Sequence, residues 1–575
     1  MKPMTTPDER RQLGPPDDLT GADGTTRDSV TVSAWTAASR ATGMVRVVVV
    51  GAVLGPTFLG NSYQLTNSLP NLIFFGFLAG SLFVSLLVPA LVRHIDEHRP
   101  RDTARVSGGF LGVALAGLLV LAPLAVGVLP ELLRLSAVGG PSPAGADQVA
   151  VARLLIALTI PQVFLYAVVG SSTAVMYAHR RFALAAAAPL VENLGIIAVL
   201  GVTALRYGTG RELGDVRTGE VVLLGLGSTC AVALHASVQW WGARRAGVRL
   251  VPRAGWRDPE VLGVIRRAVR SLAQASLLAS QLLTLMVLSN RVAGGTVAMQ
   301  MAFNFYYLPI ALVSTPVALA LLPRLSRLRP GHTEFNETFL HGLGLALFLA
   351  LPAAAGFAVL ARPLARTIAV GPMASPAGTA MIAGTLAALA AGLAGETMFF
   401  VTTQAAYARG DTRTPLVSMA GQAVICLTLC AVALLAPRTA LPPALAAAYA
   451  TATLAGGGHL LSRVSGGWRR TELWKSLART AAGTVLMAPC AYLAAGLAGS
   501  WVDGRSGQLL AVLAGGVAGL VVYGATQALL RAPELSWLRS VGRPAVAAPA
   551  PVAAGDAALP VTTDALPVTT DGLPR

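Results

Sequence analysis

Residues 92–107 read VRHIDEHRPRDTARVS, and residues 108–129 read GGFLGVALAGLLVLAPLAVGVL. The first stretch holds Arg93, Arg99, Arg101 and Arg105; the second holds no charge at all. An uninterrupted apolar run of about 20 residues is the length a helix needs to cross the hydrocarbon core of a bilayer. Lipid offers no partner to a free N–H or C=O, so such a run satisfies its backbone internally, as a helix. The abrupt change from a basic segment to a charge-free one recurs along the whole chain.

Working outward from that junction, the apolar stretches fall near 32–54, 68–92, 108–129, 151–176, 183–204, 221–242, 269–289, 296–322, 339–361, 378–403, 416–436, 440–462, 478–500 and 508–530. The expected fold is therefore an all-α integral membrane protein of about fourteen transmembrane helices. Composition agrees: only 12% of residues are charged, and the mean hydropathy is +0.63. The net charge of +17 does not point to nucleic acid, because the arginines sit in short loops flanking apolar spans.

Those loops alternate. One set of alternate connections carries 24 Lys and Arg, including the eight arginines from Arg244 to Arg270; the opposite set carries nine. The positive-inside rule places the first set in the cytoplasm, so both termini are expected there and the number of spans is even. The expected location is the plasma membrane, as a multi-pass protein. Residues 1–29 and 532–575 are rich in Pro, Gly, Asp, Thr and Ala, and are expected to be disordered cytoplasmic tails; the second contains ALPVTTD twice, from Ala558 and from Ala565.

The chain also repeats internally. Val88-Pro89 recurs as Leu322-Pro323, and Tyr177-Ala178-His179-Arg180-Arg181 as Tyr407-Ala408-Arg409-Gly410-Asp411, at offsets of 234 and 230 residues. Two such pairs predict pseudo-symmetric six-helix halves over 30–246 and 247–463, the second entered through the basic loop, with two additional spans over 464–531. Parallel duplicated halves are a transporter plan with the substrate site between them near mid-membrane.

Polar groups within the spans are the candidate site residues, because ionisable groups at membrane depth are costly unless paired or hydrated. Arg40 and Arg46 in the first span lie about 120° apart around a helix axis and can border one cavity. They suit an anion such as a phosphate. Glu192 and Glu396 are candidates for holding a coupling cation or proton, or for pairing with those arginines. Asn61, Asn71, Gln274, Gln281, Asn304 and Gln404 supply neutral polar lining or interhelical hydrogen bonds. His235 and His459 read as hydrogen-bonded packing, and Pro309 and Pro316 as bends that free carbonyls toward a cavity. Cys230, Cys426, Cys430 and Cys490 all fall in apolar stretches without a ligand pattern, so neither metal nor redox chemistry is expected. Walker A, nucleophile-elbow and HExxH signatures are absent, and no catalytic residue or cofactor is assigned; transport would draw on a coupling cation, the membrane potential or a partner.

Several segments in order resemble the MurJ/MviN family, lipid II flippases of the multidrug/oligosaccharidyl-lipid/polysaccharide (MOP) exporter superfamily. They are Ser39-Arg40-Ala41-Thr42-Gly43-Met44-Val45-Arg46, Leu69-Pro70-Asn71-Leu72, Val88-Pro89, Arg181-Phe182 to Ala188-Pro189 with Asn193, Leu321-Leu322-Pro323 and Asp411-Thr412-Arg413-Thr414-Pro415. The resemblance covers about residues 30–530. It implies a non-enzymatic flippase for a lipid-linked peptidoglycan precursor, with Arg40 and Arg46 engaging the anionic head group. Partners would be that lipid-linked substrate, membrane lipids and cell-wall synthesis proteins, not nucleic acid. Where the family carries charge, this chain has Asn61, Phe74, Ala79 and Asn304. The resemblance therefore implies a less cationic cavity, open to two other readings: an ion-coupled exporter of another amphipathic or drug-like metabolite, and a non-transporting scaffold for cell-wall enzymes.

Overall fold

A computed structural model describes residues 19–74, 87–136, 143–328, 332–465 and 471–536. Every long element among them is a helix. The first half comprises α1 (Leu19–Leu54), α2 (Phe58–Leu72), α3 (Val88–Asp96), α4 (Pro100–Ser136), α5 (Pro143–Thr159), α6 (Pro161–Ala178), α7 (Phe182–Tyr207) and α8 (Thr218–Arg245). The second comprises α9 (Pro259–Ser289), α10 (Gly295–Pro309), α11 (Thr315–Arg327), α12 (Thr333–Val359), α13 (Ala361–Ile368), α14 (Pro376–Ala390), α15 (Leu393–Ala408), α16 (Arg413–Ala433) and α17 (Leu441–Ser465). Two further helices, α18 (Thr471–Gly499) and α19 (Gly504–Leu529), follow.

Among the described residues, eleven helices are long and apolar enough to cross a membrane, or twelve when the bent pair α14–α15 counts as one span. The expected fourteen is not reached. Helix α17 is 25 residues long but rich in Ala, Gly and Thr, and does not join that set. Of the stretch 68–92, residues 75–86 lie outside the described ones, as does Ala79. Two boundaries also differ from expectation. Helix α1 starts at Leu19, inside the stretch expected to be disordered. Residues 532–536 pack back onto α18, where the Ser476 hydroxyl donates to Glu534, instead of joining a free tail. The rest of both tails, 1–18 and 537–575, is not among the described residues.

Proline accounts for two of three irregular points in the spans. Pro161 lacks the N–H that would continue α5, so α6 begins with proline in its first turn while Ile160 keeps helical angles. Between Pro309 and Pro316 the chain widens into a π-turn, Ile310–Ser314, where the Thr315 hydroxyl bonds the Ile310 carbonyl at 3.1 Å. The corresponding span of the second half breaks at Ala391–Gly392, with a 45° bend between α14 and α15.

The packing of one half recurs in the other. Helix α8 lies against α5, α6 and α7; helix α17 lies against α14, α15 and α16. Likewise α2 meets α5 as α10 meets α14, and α4 meets α6 as α12 meets α15. Helices α18 and α19 pack on each other and dock on α12 and α13, where the Tyr523 hydroxyl donates to the Phe348 carbonyl at 2.6 Å.

The halves touch at both ends of the bundle. At the arginine-poor end, Gly55 and Gly294 both take left-handed backbone angles, and a Cβ on Gly294 would stand 2.4 Å from Pro56. The turn after α1 thus lies directly on the α9–α10 turn. At the arginine-rich end, the linker between α8 and α9 is tied to α4: Arg253 N–H bonds the Gly108 carbonyl at 3.0 Å. Glu260 accepts from Arg105 at 3.0 Å and Arg93 at 3.2 Å, and stands 2.8 Å from His94. Arg105 also pairs with Asp258, the N-cap of α9. Burial pushes the Asp258 carboxyl up, but the hydrogen bond and charge of Arg105, together with the backbone N–H groups of Glu260 and Val261, outweigh it and leave the group below its ordinary value.

Candidate functional site

A cavity of about 500 Å³ lies between the halves. Helices α1, α2, α6 and α7 line one side, and α9 and α10 the other. The two walls differ. From α9 come Ala275, Leu278, Ala279, Leu282 and Met286, an apolar face; from α2 come Asn67, Ser68 and Asn71, a polar one. Helix α10 adds Gln300, Phe303, Asn304 and Tyr307. A compartment with one oily wall and one hydrogen-bonding wall suits an amphiphile.

Arg40 and Arg46 both face this space, as their angular separation predicts. Their surroundings differ. Arg46 Nη1 stands 3.4 Å from Glu192 Oε1, whereas Arg40 is exposed and has no carboxylate partner among the described residues. Glu192 is the hub of the first half. Its Oε1 also accepts from the Tyr166 hydroxyl at 2.9 Å, and its Oε2 lies 2.7 Å from His235 Nδ1. His235 Nε2 in turn lies 3.4 Å from the Gln239 amide. The carboxylate is thus held by three helices, α1, α6 and α8, and in turn holds Arg46. Next to it, the Asn193 amide donates to the Ser39 carbonyl at 3.1 Å and to the Thr42 hydroxyl at 3.3 Å, fixing α7 against the turn that carries Arg40.

Of the residues singled out from sequence, Arg40, Arg46, Asn71, Asn304 and Glu192 meet at this cavity. Asn61 does not. It is fully buried, its amide nitrogen donates to the Val292 carbonyl at 2.7 Å, and its oxygen accepts from the Thr296 N–H at 3.0 Å. Both ends are used to join α2 to the α9–α10 turn, so it is a staple between halves and does not line the cavity. Glu396 is also away from the cavity lining, inside the second half. Phe74, where the resemblance implied a charge, is buried and stacks near Tyr166 with centroids 6.5 Å apart. His459 bonds Ser418 at 2.9 Å, and Gln281 bonds the Leu277 carbonyl, as packing groups do. Tyr166, Asn67, Ser68, Gln300 and Tyr307 were not singled out as cavity lining; neutral side chains facing inward give no charge signal in a sequence.

A family model described as "Lipid II flippase MurJ" matches residues 50–512. The chain belongs to the MurJ lipid II flippase family. The match begins just after Arg46, so the two arginines stand on geometry and on the local resemblance. Two bacterial relatives bear the name "Probable lipid II flippase MurJ". The one from Rhizobium meliloti is 29% identical over 416 residues, 69% of this chain and 74% of that protein. The one from Vibrio cholerae is 26% identical over 401 residues, 68% of this chain and 74% of that protein. Among solved structures, "Lipid II flippase MurJ, inward closed conformation" superposes with a TM-score of 0.68 at 18% identity, covering 87% of this chain and all of that one. An inward-facing multidrug resistance MATE family transporter of the MOP superfamily gives 0.57 at 14% identity, covering 77% of this chain and 95% of that one. At these identities the structural likenesses establish the fold, a MurJ- and MATE-like helical transporter architecture.

Proposed function

We propose that this protein flips a lipid-linked, anionic cell-wall precursor, lipid II, across the cell membrane by alternating access and without altering it chemically. The observation that carries the reading is the pair of guanidinium groups at the cavity between the halves: one anchored on Glu192, the other free to bind. An anchored arginine keeps its fork in one orientation, which favours a bidentate grip on a phosphate oxygen pair. Arg40, one and two-thirds turns earlier, offers a second positive charge about 9 Å along the helix. The apolar α9 wall would take the first part of a lipid chain, while Asn67, Asn71 and Asn304 would meet sugar or peptide groups.

In this reading the arginine-rich end of the bundle faces the cytoplasm, with both termini there. The precursor would be taken up from that side, and cell-wall synthesis enzymes would receive it on the other. The Asn61 staple closes the far end while the cavity waits for substrate.

The test is translocation of labelled lipid II in proteoliposomes. Arg46→Ala is expected to lower the rate at least tenfold, matching one lost charge-assisted contact of about 1.5–3 kcal/mol. Arg46→Lys should recover only part of it, because an ammonium lacks the fork. An unchanged rate in Arg46→Ala removes the proposed clamp. Thiol labelling of cysteines placed in the arginine-rich loops, from inside and outside intact cells, tests the orientation.

A further inference from the structure

The second half holds a half-buried carboxyl group that the transport reading above does not use. Glu396 stands in the first turn of α15, just past the bend at Ala391–Gly392. Its side chain points inward: Glu396 Oε2 accepts from the Tyr449 hydroxyl at 3.2 Å, and Tyr449 is completely buried. Small residues make this reach possible. A Cβ on Gly395 would stand 2.4 Å from the Leu454 nitrogen, and one on Gly457 would stand 2.4 Å from the Gly395 carbonyl oxygen. Helices α15 and α17 therefore touch backbone to backbone, which brings Tyr449 over the carboxyl.

Among the described residues, no cationic side chain pairs with this carboxyl. The groups around the carboxyl are the hydroxyls of Tyr306, Tyr307 and Tyr449. Ser314 of the π-turn and Thr397 of α15 bond each other at 3.1 Å, and Thr453 of α17 bonds the Ala450 carbonyl. The charged and titratable groups on the packed elements lie elsewhere: Arg324 and Arg327 end α11, His341 sits early in α12, and Arg409 and Arg413 flank the loop after α15. His459 of α17 is ten residues beyond Tyr449, about 15 Å along the helix. Cys426 and Cys430 of α16 share the apolar cluster and are not in a disulfide.

Two further details point to a proton. The Tyr306 hydroxyl is fully buried beside the same carboxyl and is not committed to a hydrogen bond of good geometry among the described residues, so its oxygen can accept from a carboxylic O–H. And Tyr307, which lines the central cavity, lies with its hydroxyl 3.3 Å from that of Tyr449. A series of hydroxyls thus joins the central cavity to Glu396.

We propose that Glu396 is a proton-binding site of this transporter, loaded from the central cavity through Tyr307 and Tyr449. In the loading step a hydronium ion in the cavity gives a proton to the Tyr307 oxygen and becomes water, the Tyr307 proton passes to Tyr449, and the Tyr449 proton passes to Glu396 Oε2. One O–H bond breaks and one forms at each hydroxyl, so both tyrosines end as they began and the carboxylate ends as the acid. The neutral acid can donate to the Tyr306 oxygen, whereas the ionised form can only accept from the tyrosine hydroxyls. Because α15 begins at the bend next to Gly392, this reversal of donor and acceptor acts where the span can flex. The proposal deepens the flippase reading, since it names what drives the transport, but the site itself is testable without any lipid substrate.

The full-length protein in vesicles, free of lipid II, is titrated while the carbonyl stretch of protonated carboxylic acids is followed by infrared difference spectroscopy. A band present at neutral pH and absent from Glu396→Gln is expected, titrating one proton per chain. Tyr449→Phe should shift its frequency, since one donated hydrogen bond is lost; this variant also serves if Glu396→Gln does not fold. Absence of a band that differs between wild type and Glu396→Gln overturns the proposal. So does disappearance of the band when sodium replaces potassium at constant pH, which would assign a metal cation instead. If the band is found, lipid II movement under an imposed pH gradient should lose its response at least tenfold in Glu396→Gln. Failure of that arm with the band intact would fault the flippase reading and leave the proton site standing.

Discussion

The two halves share a packing scheme but treat their buried acids in opposite ways. In the first half, Glu192 is surrounded by Arg46, His235 and Tyr166, contributed by three different helices. In the second, the partners of Glu396 among the described residues are hydroxyls. A paired carboxylate at membrane depth is a fixed structural charge, and removing any partner strands the others. An acid with no counter-charge can gain or lose its proton without breaking an ion pair. Duplication of the fold thus supplies a frame, while single side chains make one half a rigid holder and the other an adjustable one.

The largest expected effect breaks this contrast directly. Glu192→Ala should destabilise the protein by about 3 kcal/mol, since Arg46, His235 and Tyr166 lose a common partner. Glu396→Gln should change stability by less than about 0.5 kcal/mol, because the amide keeps a neutral hydrogen-bonding group in place. Thermal unfolding in one detergent compares them; equal losses would erase the distinction between the halves. A second, intermediate effect concerns the contact that holds the halves together. Asn61→Ala should cost about 2 kcal/mol, as it leaves the Val292 carbonyl and the Thr296 N–H unpaired. Labelling of a cysteine at position 292 by an impermeant maleimide should rise in that variant, and unchanged labelling would show that the staple does not seal this end.

The smallest effect sharpens the comparison with an acid outside the membrane. Asp258, held below its ordinary value by Arg105, contributes stability that is complete above the unfolded carboxylate's range near pH 4 and is lost as pH falls through the depressed folded value. Arg105→Gln should therefore lower the melting temperature by a few degrees at neutral pH. Variant and wild type should converge in strong acid, and a difference that persists there would assign Arg105 a role other than charge pairing.

Much of this was legible before any coordinates. The cavity residues Arg40, Arg46 and Glu192 stand out because charge in an apolar run is rare. What reading along the chain could not do is separate groups by partner. Asn61 and Asn71 are ten residues apart on the same stretch; one is a fully satisfied staple and the other faces the cavity. Glu192 and Glu396 looked alike as lone acids, and only the helices that arrive from far along the chain tell them apart. Helix α1 reaches back to Leu19 despite a polar composition that favours no helix by itself, so the boundary there was missed.

Sequence alone determined the solvent, the helical class, the duplicated plan and the grouping of arginine at one end. Each of these follows from a local rule: run length against bilayer thickness, and charge against the cost of lipid. The tertiary structure decided which polar groups spend their hydrogen bonds on each other and which keep them for a ligand. That choice depends on backbone approaches such as α15 on α17 and on contacts spanning 146 residues from Arg46 to Glu192, which no local pattern encodes.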